Sequence, residues 1–202
     1  MAIKSCCSTQ HPFETFNVRN NWWPSTPKYL IIGESPGGPN AHYFYDEEHC
    51  VRIRRNLLMG LHRFQLISDP TLEEFKNGGF LFDHSIRCHL APMEIKREWR
   101  RARKYESPRA AAAHHLVPSL SVFPIVWIMG YLARNAVADL DAQFPRAMCG
   151  LSAPYIPEKS TRYFVSRYLL NIGDREILSI VERFKHFLHT SEHTSIPLKT
   201  LE

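Results

Sequence analysis

The chain is expected to fold as an α/β domain: a three-layer α/β/α sandwich around a short, mainly parallel four-stranded sheet. Two observations predict this. Four short apolar runs, YLII, FLFDHSI, PIVWIM and RYFVSRYLL, recur along the chain. Segments with helical spacing of apolar residues separate them, the alternation that gives a parallel sheet covered by helices. With 202 residues and 44% apolar content, one domain has enough material for a proper core.

Each element has a local reason. Residues 1–27 are rich in Pro, Asn and aromatics and read as an irregular N-terminal arm ahead of a single domain over 28–189. YLII is a short buried strand ending at Gly33. Asp46 reads as an N-cap, and the helix after it carries Val51, Leu57, Leu58, Leu61 and Phe64. Asp69-Pro70 opens a short helix that Gly78-Gly79 stops. FLFDHSI is the second strand, and Ser107-Pro108 starts a helix through Ala111, His115 and Leu120. PIVWIM is the third strand and Tyr131 to Leu140 the helix behind it. RYFVSRYLL supplies the fourth strand and the loop that follows. A last helix from Asp174 to His189 aligns Ile177, Ile180, Val181, Phe184 and Leu188, leaving 190–202 as a loose tail.

Composition narrows the function classes. No apolar run approaches a membrane span, and the start MAIKSCCSTQ has no apolar stretch for a secretory signal. Five cysteines, with Cys6 and Cys7 adjacent, make a poor disulfide framework and suit a reducing interior, so a cytoplasmic location is expected. The net charge of +5 permits nucleic-acid binding. Part of that excess is KREWRRARK, where Arg100, Arg101 and Arg103 are candidate DNA contacts, unless the run is only a solvated face.

Ligands of parallel sheets bind at the carboxyl ends of the strands. The segments there are GESPGGPNAHYFY, DHSIRCHLAP, MGYLARN and SRYLLNIG. GESPG matches G-x-S-x-G, the nucleophile elbow, which makes Ser35 a candidate nucleophile of a small-molecule hydrolase. Pro36 argues against it, because the residue after the nucleophile must donate a backbone N–H to the oxyanion hole and proline has none. The loop lacks the Gly-Lys-Ser/Thr of a P-loop and the G-x-G-x-x-G of a dinucleotide site. What remains is the Glu34 carboxylate at a strand end, suited to activating water or stabilising a cationic transition state, with the aromatics Tyr43, Phe44 and Tyr45 nearby. The plainer alternative is that Glu34 caps a turn and HYFY anchors the loop in the core.

These segments resemble the uracil-DNA glycosylase superfamily. GESPG is similar to its first motif, Gly-Glu-Ala-Pro-Gly or Gly-Ile-Asn-Pro-Gly after the first strand. FLFDHSIRCHLAP resembles the segment ending Lys-Cys-Arg-Pro-Pro in the iron–sulfur branch, and RAAAAHHLVPSLSVFPIVWIMGYLARNAV resembles the helix–strand–helix that follows. The similarity spans about Lys28 to Leu140, carried by the order and spacing of the motifs. It implies that the chain flips a damaged or atypical base out of DNA and hydrolyses its N-glycosidic bond. It places Glu34 and Ser35 at the water-positioning motif, Phe44 or Tyr45 as the base-stacking aromatic, and His84, with Asp83 beside it, where the family reads the base. Gly37 and Gly38 fall in the DNA-contacting turn. The family's final loop carries His-Pro-Ser, whereas VSRYLLNIG has neither His nor Pro. Arg167 is then the candidate for leaving-group charge and Tyr168 or Leu169 for the wedge into the duplex. A lapsed member that binds DNA or a nucleotide without cleavage is the alternative. The branch's four-cysteine cluster is matched only by Cys6, Cys7, Cys88 and either His114 or His115 in altered spacing, so no metal and no cofactor are expected.

Overall fold

The computed structural model describes residues 12–34, 42–49, 51–85, 87, 116–140, 144, 162–166 and 173–192. In chain order these contain α1 (Pro12–Thr15), α2 (Val18–Asn21), β1 (Tyr29–Gly33), α3 (Arg52–Arg63), α4 (Leu72–Asn77), β2 (Phe80–His84), β3 (Ile125–Met129), α5 (Tyr131–Leu140), β4 (Tyr163–Ser166) and α6 (Asp174–Glu192). Residues 116–122 are also helical. The class is α/β, and no helix among the described residues is long and apolar enough to cross a membrane.

The four strands form one sheet in the order β2-β1-β3-β4, with every neighbouring pair parallel. Its strands are buried along nearly their whole length, the reason they read as continuous apolar runs. On one face Trp127 stacks on Phe184 of α6 at 4.6 Å, and Phe164 meets the same ring at 5.3 Å. On the other face Val126, Ile128, Tyr163 and Val165 are equally buried, and Tyr163 meets Phe144 edge-on. The helices α3 and α6 approach closely because Gly60 has no side chain: a Cβ there would sit 2.8 Å from Cγ2 of Val181.

Three sequence expectations are corrected. The N-terminal arm is not irregular over 12–21, where two one-turn helices bury Phe13 and Val18. Trp22 and Trp23 then anchor the arm on Tyr45 and Phe123. Asp46 does not cap α3: the helix starts at Arg52, after Val51, which offers no side-chain acceptor. The carboxylate of Asp46 instead accepts from His49 and His42 within its own turn. The last helix continues past His189 to Glu192.

β2 is an edge strand, and its free side is closed by a side chain. The Tyr45 hydroxyl donates to the carbonyl of Phe82 at 3.1 Å and accepts from the amide of the same residue at 2.8 Å. One phenol thereby does for one residue what a fifth strand would do. Burial pushes the Tyr45 phenol far above its ordinary range, so it remains a donor at any pH the fold tolerates. Tyr45→Phe strands a buried N–H and a buried C=O together. The expected cost is about 2–3 kcal/mol, read from the shift of a urea unfolding midpoint at unchanged slope.

Candidate functional site

The chain leaves β1 toward β2 on one side and returns across the sheet to β3 on the other. The carboxyl ends of β1 and β3 therefore flank the point where the strand order reverses, which is where open α/β sheets bind ligands. Glu34 is the first residue after β1, and Gly130 the first after β3. The two touch: a Cβ on Gly130 would lie 2.8 Å from both Cγ and Cδ of Glu34 and closer still to Oε1. Gly130 also has φ +93°, a region that side chains resist. A glycine here thus serves the turn and makes room for the carboxylate at the same time.

Neighbouring strand ends hold this corner in place. The amide of Ser85 donates to the Gly33 carbonyl at 2.8 Å, and its hydroxyl donates to the Glu34 carbonyl at 2.6 Å. On the opposite side, the Gly130 amide donates to Ser166 O at 2.9 Å, and Trp127 Nε1 donates to Ser166 Oγ at 2.8 Å. The backbone of Glu34 is therefore fixed by β2, and its carboxylate rests over the end of β3.

His84 is paired with Gly33 in the parallel register and is 4% exposed. Its ring stands edge-on to Phe82 at 4.9 Å and tilted against Tyr43 at 5.6 Å. The Tyr43 hydroxyl is buried with no hydrogen-bond partner among the described residues. Burial drives its phenol pKa well above the ordinary value. The carboxylate of Asp83 and the Tyr45 phenol add to that, and Arg87 opposes it. The rings of His84 and Tyr43 thus belong to the same buried aromatic face as Phe44 and Tyr45.

Asp83 points away from this aromatic face. It is fully buried and is met by Arg87 in a two-pronged pair, Nε to Oδ1 at 3.0 Å and Nη2 to Oδ2 at 2.7 Å. The His84 amide donates to the same Oδ1 at 2.8 Å. The Arg87 guanidinium lies 3.4 Å from the ring centroid of Phe13, tying the N-terminal arm to the end of β2. Asp83 is thereby committed to orienting the end of β2.

Of the residues singled out from sequence, Glu34 and His84 lie at the carboxyl ends of neighbouring strands, with the Glu34 carboxylate against Gly130 and the His84 ring against Phe82 and Tyr43. Phe44 and Tyr45 belong to the core, at 2% exposure each. Phe44 stacks on Phe82 at 4.3 Å, and Tyr45 closes the sheet edge and stacks on Trp22. Neither presents an open ring face, which is where this arrangement departs from a base-stacking role. Ser35, Gly37, Gly38, Arg100, Arg101, Arg103, Arg167, Tyr168 and Leu169 lie outside the described residues, as do Cys6, Cys7, Cys88, His114 and His115. Sequence reasoning passed over Ser85, Arg87 and Gly130. A glycine directly after a strand, in MGYLARN, was the available signal for the last. No protein-family model matches the chain, and no curated protein matches it.

Proposed function

We propose that the chain is a uracil-DNA glycosylase-like enzyme that excises a damaged or atypical base from DNA. The observation that carries this reading is the Glu34 carboxylate, seated over Gly130 at the reversal point of the sheet. A carboxylate there suits the reaction, which needs a water oriented toward an electron-poor sugar and a stabilised oxocarbenium-like transition state. His84, paired with Gly33 at the same strand ends, is the residue we assign to the polar edge of a flipped base. Motif order along the chain, from GESPG through FLFDHSIRCHLAP to MGYLARN, supports the same assignment.

The test is a panel of oligonucleotides, each carrying one modified base, in single- and double-stranded form. Glu34→Gln keeps the shape of the side chain and removes its charge, so excision is expected to fall about 10²–10⁴-fold with the melting temperature little changed. His84→Asn is expected to change the ratio of rates between bases rather than all rates equally. Unchanged turnover in both variants would eliminate this site. A second reading, binding without cleavage, is favoured by the core positions of Phe44 and Tyr45 and by the missing His-Pro-Ser in VSRYLLNIG. Its signature is retention of one or more oligonucleotides with no base released from any.

A further inference from the structure

Between β1 and α3 the chain makes a tight turn whose side chains converge outside the core. His42 and His49 are half-exposed, yet their rings stack at 3.7 Å between centroids with 14° between planes. Both aim Nδ1 at a single oxygen: Oδ2 of Asp46 lies 3.2 Å from His42 and 3.0 Å from His49. One potential ligand atom from each residue falls within 4.8 Å of the other two. Hydrophobic burial does not account for two half-exposed imidazoles turned onto one carboxylate oxygen, and exposed hydrogen bonds of this kind contribute little.

We infer that His42, Asp46 and His49 form a binding site for a divalent transition ion of the zinc class. The donor set decides the class. Two imidazoles and one carboxylate suit Zn²⁺, Co²⁺ or Ni²⁺, whereas Ca²⁺ and Mg²⁺ take oxygen ligands. The spacing is also close to the requirement. Ligands about 2.0–2.1 Å from a tetrahedral ion sit about 3.3–3.4 Å from one another, near the two Nδ1–Oδ2 separations already present. Binding at Nδ1 moves each ring proton to Nε2, which the half-exposed rings leave open to water.

The backbone of the turn is set before any ion arrives. Arg54 of α3 donates to the carbonyls of Phe44 at 3.1 Å, Asp46 at 2.5 Å and His49 at 2.6 Å. An ion therefore meets a preset backbone, on which the two stacked rings have only to turn about their side-chain bonds to bring both Nδ1 lone pairs onto it. Glu47 and Glu48 are exposed within the same turn and raise the local attraction for cations. A groove of about 440 Å³ borders the site, lined in part by Trp22, Asp46, Glu48 and His49. Three protein ligands leave at least one coordination position for water or for a group of another molecule. The ion also clamps the segment that carries Tyr43 to Tyr45, and with it the closed edge of β2. This site does not depend on the glycosylase reading.

The experiment titrates the full chain, untagged and stripped with chelator, with Zn²⁺ by calorimetry and with Co²⁺ by visible absorption. Expected are one saturable equivalent, a raised melting temperature, and cobalt bands without thiolate charge transfer. His42→Ala, His49→Ala and Asp46→Asn are each expected to weaken binding at least about tenfold, while melting like the wild type in chelator. Because the chain holds 11 histidines and five cysteines, the His42→Ala/His49→Ala double variant is the reference for stray binding. Absence of saturable binding, or binding that this double variant leaves intact, would overturn the assignment.

Discussion

Arg87→Ala is expected to lower the unfolding free energy by about 3–5 kcal/mol. The reason is the position of its partner. Asp83 is fully buried, and both prongs of the guanidinium serve it. Without Arg87, a carboxylate cut off from water loses the cation that neutralises it, although the His84 amide still donates to it. The substitution also removes the cation from the ring of Phe13 and loosens the N-terminal arm. Asp83→Ala is expected to cost less, since Arg87 is 15% exposed at its side chain and its charge has a route to solvent. Chemical denaturation of both single variants and the double variant measures the asymmetry. Equal losses would mean that the pair's geometry, rather than the stranded charge, sets its contribution.

Gly130→Ala is expected to have the second large effect, on both stability and the site. At φ +93° an alanine is strained by about 1–3 kcal/mol. Its methyl would also occupy space held by Cγ, Cδ and Oε1 of Glu34, so the carboxylate has to leave its seat. The two contributions separate in a double-mutant cycle. In a Glu34→Ala background the three atoms nearest the methyl are gone, so the loss is expected to shrink toward the backbone strain. If the glycosylase reading holds, Gly130→Ala alone lowers excision nearly as far as Glu34→Gln, although it alters no reacting group. Additive stability losses in the cycle would show that Glu34 does not rest on Gly130 in solution.

These two corners mark how far the sequence could be read. The strands were legible because each is buried on both faces, and unbroken apolar runs such as YLII and PIVWIM have few other uses. Their starts and stops came within a residue or two. Tyr131 to Leu140 was legible as a helix for a local reason too, following its strand through a single glycine. Asp46 misled because a helix N-cap and a histidine-bridging carboxylate look alike until the direction of the following turn is known. HYFY left two readings open, a base-stacking aromatic or an anchor in the core. The register of β2 decides for the anchor, taking Phe44 onto Phe82 and the Tyr45 hydroxyl onto a strand edge.

The sequence by itself determined the parallel α/β class, the places of the four strands, and the position of Glu34 immediately after the first of them. Those features depend on local periodicity and on residues such as Gly33 that end a strand, and neighbours in sequence suffice to specify them. Only the tertiary structure decided that β1 lies between β2 and β3, that Gly130 is the seat of Glu34, and that Arg87 neutralises Asp83. Each of the first two joins residues far apart in the chain, and their meeting depends on which side of β1 the returning strand adds. The third joins residues four apart, but it matters because packing removes Asp83 from water. Burial of a charge is a property of the assembled domain, and no stretch of sequence carries it alone.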